Sequence, residues 1–150
     1  MKNVERRSKE IWDSGLYCAE SVLMALAERE GIISELIPKI ATGFCSGVAR
    51  TGGMCGALSG AIMAVNLVYG RTSGKESVER NYTAIKLLIK RFEEQFGSIN
   101  CSELLGCDIG TKEGQKFYQE NDLRSKCREL TGGAARLGAV IIDETKQSTA

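Results

Sequence analysis

Six cysteines, Cys18, Cys45, Cys55, Cys101, Cys107 and Cys127, are the chemistry-bearing residues of this 150-residue chain, and histidine is absent. Without imidazole there is no Cys-His or Ser-His dyad, no His-ligated zinc and no Cys-x-x-Cys-His haem attachment. Protons and electrons must then be handled by cysteine, carboxylates, lysine or tyrosine. Thiols scattered singly leave two chemistries open. One is a reversible dithiol and disulfide couple, in which a thiolate at a helix N-terminus reacts and a neighbour resolves it. The other is a four-thiolate site for an iron–sulfur cluster or zinc, because soft thiolates select those metals.

The elements that would position these thiols are organised around residues 51–70, twenty residues without a charge, flanked by Arg50 and Arg71. Gly56, Ser59, Gly60 and Ala64 fall at helical spacing and would let another backbone approach closely, while Leu58, Ile62, Val65 and Tyr69 form a bulky apolar face. Cys55 stands at the start of this helix, where free N–H groups and the helix dipole favour an anion, so its thiol is expected to lean toward thiolate. Arg50 is placed to add positive charge beside it, or to serve as an ordinary surface arginine. The window also matches a membrane span in length. Its helical part, residues 54–69, would run only about 24 Å against a hydrocarbon core of about 30 Å, and Asn66 lies within it, so an integral membrane protein is not expected.

Around that helix the expected elements are helical. Residues 3–12 read as an exposed helix or arm, with Val4, Ile11 and Trp12 as its contacts. Residues 15–30 form a helix with Cys18 in its first turn, stopped by Gly31. An apolar segment follows at 32–44, with Pro38 near a helix start, and the glycine-rich loop 43–53 carries Cys45 and Arg50 into the central helix. That loop precedes a helix as a phosphate-binding loop would, but it matches neither the P-loop nor the dinucleotide fingerprint, and a tight turn is its ordinary reading. Thr72 or Ser73 opens an amphipathic helix, closed by Gly97, on which Val78, Tyr82, Ile85, Ile89, Phe92 and Phe96 form one stripe. Cys101 and Cys107 flank a short helical turn, and residues 115–121 form a short helix. In the last helix, 121–143, Leu123, Cys127, Leu130, Ala134, Leu137 and Ile141 share one stripe, and Gly132 with Gly133 weakens or bends it. The end, residues 144–150, reads as frayed. With no strand alternation, repeat or linker, the expectation is a single all-α domain over 1–150, a bundle of about six helices around a small-residue-rich helix at about 54–69.

Composition narrows the function classes. A net charge of +1 with 43% apolar and 26% charged residues gives no electrostatic footprint for nucleic acid. The N-terminal MKNVERRSKEIW carries basic residues without an apolar run after them, so it is not a secretory signal and a cytoplasmic location is expected. In a reducing compartment six cysteines point to transient disulfides or metal ligands rather than structural bridges. Helical stripes turn Cys18, Cys55 and Cys127 inward. Cys45 and Cys107 are expected to pack as small apolar residues. A reading from another class is a helical interaction module, a homodimer formed across Gly56 and Gly60 with inert thiols.

The order Cys18, then Gly-x-Cys-Gly-Ala-x-x-Gly at residues 53–60, then Cys101 with a following Glu-Leu-Leu-Gly, then Cys127, closely resembles the bacterial and archaeal C_GCAxxG_C_C family of redox-active proteins. The likeness covers roughly residues 14–140. It implies that Cys18, Cys55, Cys101 and Cys127 are the redox or ligand positions, that the activity is electron transfer of the kind a thiol-dependent oxidoreductase performs, and that a functional link to a transporter exists. Cys45 and Cys107 lie outside the pattern. Some relatives carry haem; this chain lacks the residues for it, and no haem is expected. The dithiol reading requires no cofactor and an unidentified redox partner. The alternative makes the same four cysteines ligands of an iron–sulfur cluster or zinc.

Overall fold

In the computed structural model, which describes residues 2–148, the regular elements are helices. They run in the order α1 (Lys2–Asp13), α2 (Cys18–Arg29), α3 (Cys45–Arg50), α4 (Gly56–Tyr69), α5 (Glu79–Phe96), α6 (Cys101–Leu105), α7 (Lys112–Glu120) and α8 (Leu123–Gln147), with a 3-10 segment at Lys39–Phe44. The all-α bundle expected from the sequence is what forms. The described residues contain eight helices rather than about six, because the short α3 and α6 close helical hydrogen bonds of their own. One antiparallel bridge, Met54 to Asn100, is the strand-like pairing among the described residues. None of the described helices is long and apolar enough to cross a membrane.

The centre is shared by α2, α4 and α8, which pack on one another, while α1 lies across α2 and α8 and α5 across α4 and α8. Small residues make that closeness sterically allowed. A Cβ built on Gly60 would sit 2.6 Å from the Ala19 carbonyl oxygen, and one on Gly56 would sit 2.4 Å from the Cys18 Sγ. The small-residue face of α4 therefore receives α2 of the same chain, which is the close backbone approach its spacing predicts. Leu58 and Val65 are fully buried, and the Tyr69 hydroxyl donates to the Ile142 carbonyl at 2.6 Å.

Two elements differ from the sequence reading. α1 is not an arm: Val4, Ile11 and Trp12 are buried, its Lys9 and Glu5 stems lie against Gly132, and Arg128 of α8 clasps Asp13 by two bonds of 2.8 Å. Apolar burial and a bidentate pair together hold this helix down. α5 starts at Glu79, several residues late, because the Glu76 carboxylate accepts from the Thr72 hydroxyl and amide and diverts residues 72–76 into a local turn. Its buried face is Asn81, Ala84, Leu88 and Phe92, and Tyr82 is exposed. The Asn81 amide donates to the Asn66 side-chain oxygen at 3.0 Å, so a polar pair rather than Tyr82 sits against α4. Ile85, Ile89 and Phe96 still pack on the core from its edge. Gly97 closes the helix in the left-handed region, as expected.

The helix α8 keeps Leu130, Ala134, Leu137 and Ile141 buried, with Leu123 and Cys127 half-buried at its N-terminal end. Gly132 and Gly133 do not break it; a Cβ on Gly133 would lie 2.4 Å from the Phe96 ring, so α5 uses the missing side chain. The expected frayed end begins as helix through Gln147, and residues 149–150 lie outside the described residues.

Candidate functional site

Cys18, Cys55, Cys101 and Cys127 line one cavity of about 260 Å³. They come from four different elements: Cys18 is the first residue of α2, Cys55 precedes α4, Cys101 opens α6 and Cys127 lies in the second turn of α8. Tyr118, Gln115 and Gln119 of α7, Arg124 of α8, Arg50, and Trp12 of α1 complete much of the wall. Helix packing thus brings residues more than a hundred positions apart to a common space. All six cysteines are free thiols.

Backbone bonds fix part of this arrangement directly. The Cys55 amide donates to the Ile99 carbonyl at 2.7 Å, and the Cys101 amide donates to the Gly53 carbonyl at 2.8 Å. These bonds flank the Met54 to Asn100 bridge, so the two cysteine-bearing segments are tied side by side. Cys18 is set by α2 resting on Gly56, as above.

The glycine-rich loop expected at 43–53 forms a less ordinary structure than a tight turn. Ser46, Gly47, Val48, Ala49 and Arg50 all have positive φ, from 53° to 67°, making one left-handed helical turn. For residues with a Cβ this hand costs about 1–2 kcal/mol each, and single residues rather than runs normally adopt it. Thr51 caps the turn, its hydroxyl donating to the Val48 carbonyl at 2.8 Å and its amide to the same oxygen at 3.1 Å. The turn places Gly47 against Cys101: a Cβ there would lie 2.4 Å from the Cys101 Cβ and 3.2 Å from its Sγ. It also swings Arg50 to the cavity.

Burial dominates the thiol electrostatics. The Cys55 thiol is pushed up to about 12 by desolvation, against the opposing pull of the Ala57 and Leu58 amides at the start of α4. The expected lean of Cys55 toward thiolate is therefore not present in this state, since removal from water outweighs the helix N-terminus. Cys101 is pushed up to about 11 by the same burial, with Cys127 and Cys107 nearby. Cys127 is also raised by burial, but the nearby Tyr118 hydroxyl and the charges of Lys126 and Arg124 pull the other way. Unlike Cys18, Cys55 and Cys101, it is only partly buried. Arg50 and Arg124 have no carboxylate within salt-bridge distance among the described residues; Arg124 instead lies 5.2 Å above the Trp12 ring.

Cys45 and Cys107 differ from each other. Cys107 is half-exposed beyond the cavity wall. Cys45 is buried as expected, but its thiol is engaged: it donates to Glu20 Oε1 at 3.6 Å, and the neighbouring Cys18 thiol, followed by burial, pushes it up. No three Cys, Asp or Glu side chains among the described residues converge as a ligand set for one metal ion. The four thiols share a cavity without forming the compact cage that an iron–sulfur cluster or zinc takes.

Several wall residues are invisible to cysteine counting. Tyr118, Arg124 and Trp12 carry no motif. The sequence signal for Tyr118 is only its place in the short helix expected at 115–121. Glu20, which holds Cys45, shows itself in retrospect as a capping residue, its Oε1 accepting from the Tyr17 amide at 3.0 Å.

The family model described as "Putative redox-active protein (C_GCAxxG_C_C)" matches residues 16–141. A protein of Archaeoglobus fulgidus described as "Uncharacterized protein" is 32% identical over 155 residues, an alignment that covers 97% of each chain. No solved structure matches the chain.

Proposed function

This chain belongs to the C_GCAxxG_C_C family, and from that premise we propose that it is a thiol–disulfide electron carrier of a reducing, cytoplasmic compartment. Cys18, Cys55, Cys101 and Cys127 exchange electrons with a disulfide or dithiol partner inside the cavity. The observation that carries this reading is the lining of one cavity by all four cysteines. Cys127 is the thiol that meets the partner, because it is the least buried of the four and has the Tyr118 hydroxyl beside it to favour its anion. Its thiolate attacks the partner disulfide, one partner sulfur leaves as a thiol, and a second cavity thiol displaces the other, so that two protein thiols become one disulfide as the partner disulfide becomes two thiols. Cys55 and Cys101 lie behind it as resolving groups. Protonated at rest, they resist adventitious oxidation until a mixed disulfide forms beside them.

The absence of a converging ligand set among the described residues favours the dithiol over the cluster or zinc reading. The face that motivated a homodimer, Gly56 and Gly60, is filled by α2, which weakens the interaction-module reading. The test is thiol counting on anaerobically purified protein equilibrated in buffers of oxidised and reduced dithiothreitol. The expected result is a reversible fall from six reactive thiols in denaturant by two or more. Six thiols at every ratio, or stoichiometric iron with visible absorption, would overturn it.

A further inference from the structure

Behind the cavity wall stands a pair that the four-cysteine pattern does not include. Cys45 is 4% exposed and does not line the cavity, whereas Cys18 does. Both crowd the same point beside α4: a Cβ on Gly56 would lie 2.4 Å from the Cys18 Sγ and 3.1 Å from the Cys45 Cα. The Cys45 thiol points to a buried carboxylate, donating to Glu20 Oε1 at 3.6 Å, while Glu20 Oε2 accepts from the Thr42 hydroxyl at 2.9 Å. Glu20 is 8% exposed and belongs to α2, two residues after Cys18. A thiol, a second thiol and a proton acceptor are thus stacked from the cavity inward. An inert packing cysteine needs no carboxylate partner, and a buried carboxylate is expensive to keep unless it has work or partners.

We infer that Cys45 is the resolving thiol of Cys18, that the two form a buried disulfide when Cys18 is oxidised from the cavity, and that Glu20 receives the proton Cys45 gives up. The inference rests on the cavity thiols being redox-active and adds a fifth cysteine to them. With a low-molecular-weight disulfide as oxidant, the Cys18 thiolate attacks one of its sulfurs and expels the first small thiolate, leaving a mixed disulfide on Cys18. The Cys45 sulfur then attacks the Cys18 sulfur, its proton passing to Glu20, and expels the second small thiolate. Glu20 then releases that proton, so that the Cys18 and Cys45 protons end on the two small thiols, and the protein has lost two electrons. Gly56 leaves room for the two cysteines to approach, since a side chain there would run into the Cys18 sulfur and the Cys45 backbone. Because Cys45 reaches no solvent space of its own, its disulfide is shielded from reduction except through Cys18. The oxidation would thereby be stored where the cavity can be refilled.

The experiment treats the reduced full-length chain with glutathione disulfide, quenches with acid, alkylates free thiols and maps linked peptides by mass spectrometry. The expected product contains a Cys18–Cys45 link. Cys45→Ser and Cys45→Ala are each expected to accumulate glutathione on Cys18 at least about tenfold over the parent, and Glu20→Gln, which keeps the capping acceptor, to slow formation of the link about tenfold. A Cys45 that stays alkylatable while Cys18 pairs with Cys55, Cys101 or Cys127 overturns the inference and leaves the cavity reading standing. No linked pair anywhere in the chain overturns both.

Discussion

Cys55 and Cys101 are held beside each other by the main chain: the amide of Cys55 bonds the carbonyl of Ile99, and the amide of Cys101 bonds that of Gly53, at 2.7 and 2.8 Å. Forty-five residues of chain, with the whole of α4 and α5, separate them in sequence, yet two backbone bonds tie their segments side by side. Backbone bonds are shorter-ranged and more directional than apolar contact, so this half of the site is stiffer than the Cys18 and Cys127 half, which depends on helix docking.

The docking that sets Cys18, by contrast, rests on glycine at one contact. With a Cβ only 2.6 Å from the Ala19 carbonyl, Gly60→Ala should push α2 off α4 and destabilise the fold by about 1–3 kcal/mol, the usual range for overpacking. Urea unfolding followed by circular dichroism measures it; an unchanged midpoint would show that α2 can shift freely.

The left-handed turn gives a prediction of opposite sign. Ala49 has φ 53°, where a Cβ costs about 1–2 kcal/mol, while glycine's extra unfolded-state entropy returns about 0.5–1. Ala49→Gly should therefore stabilise the protein by roughly 0.5–1 kcal/mol, read in the same unfolding experiment. A loss of stability would show that the turn is not left-handed in solution.

Thiol reactivity should show the burial. At pH 8 a thiol near 11, such as Cys101, is about 0.1% thiolate, against about 10% for one at the ordinary 9.0, so its alkylation by iodoacetamide should be about 100-fold slower in the native chain. Cys55, at about 12, should be slower still. The stability consequence has a definite sign. Both folded values are raised, so the stabilisation is fully present below about pH 9 and is lost as pH climbs through 11 to 12. A rise in unfolding free energy between pH 9 and 11 would contradict it.

Tyr118→Phe removes the hydroxyl that favours ionised Cys127 while keeping the ring. The Cys127 thiol should then titrate higher and alkylate more slowly near neutrality. Peptide-resolved alkylation rates would report this, and an equal rate in both proteins would remove Tyr118 from the site.

The sequence carried the helices well where apolar periodicity was long. α2, α4 and α8 fall within a few residues of their expected bounds, and Gly31 and Gly97 stop helices where they should. It failed where the deciding contact is distant. Nothing local to Thr72 or Tyr82 says that Glu76 will turn back or that Asn81 will meet Asn66. Nor does a run of Ser-Gly-Val-Ala-Arg, with one glycine in five, signal a left-handed turn; its neighbours Cys101 and Gly53 impose it. At the site, the four pattern cysteines were legible from their order, and their meeting in one cavity was not. The protonation of Cys55 differs from the expectation because a helix start is visible in sequence and depth beneath the surface is not. Cys45 reads as a packing cysteine because free thiols are commonly buried, although the carboxylate that engages it is only two residues from Cys18.

The turn from Ser46 to Arg50 is, over five residues, the mirror image of the helices around it. A D-amino acid introduced at Val48 or Ala49 by chemical synthesis would rest in its preferred basin there, whereas the same replacement inside α4 would unravel a turn. The stereochemical preference of the chain is thus inverted at one spot, and that spot forms part of the wall against which Cys101 lies.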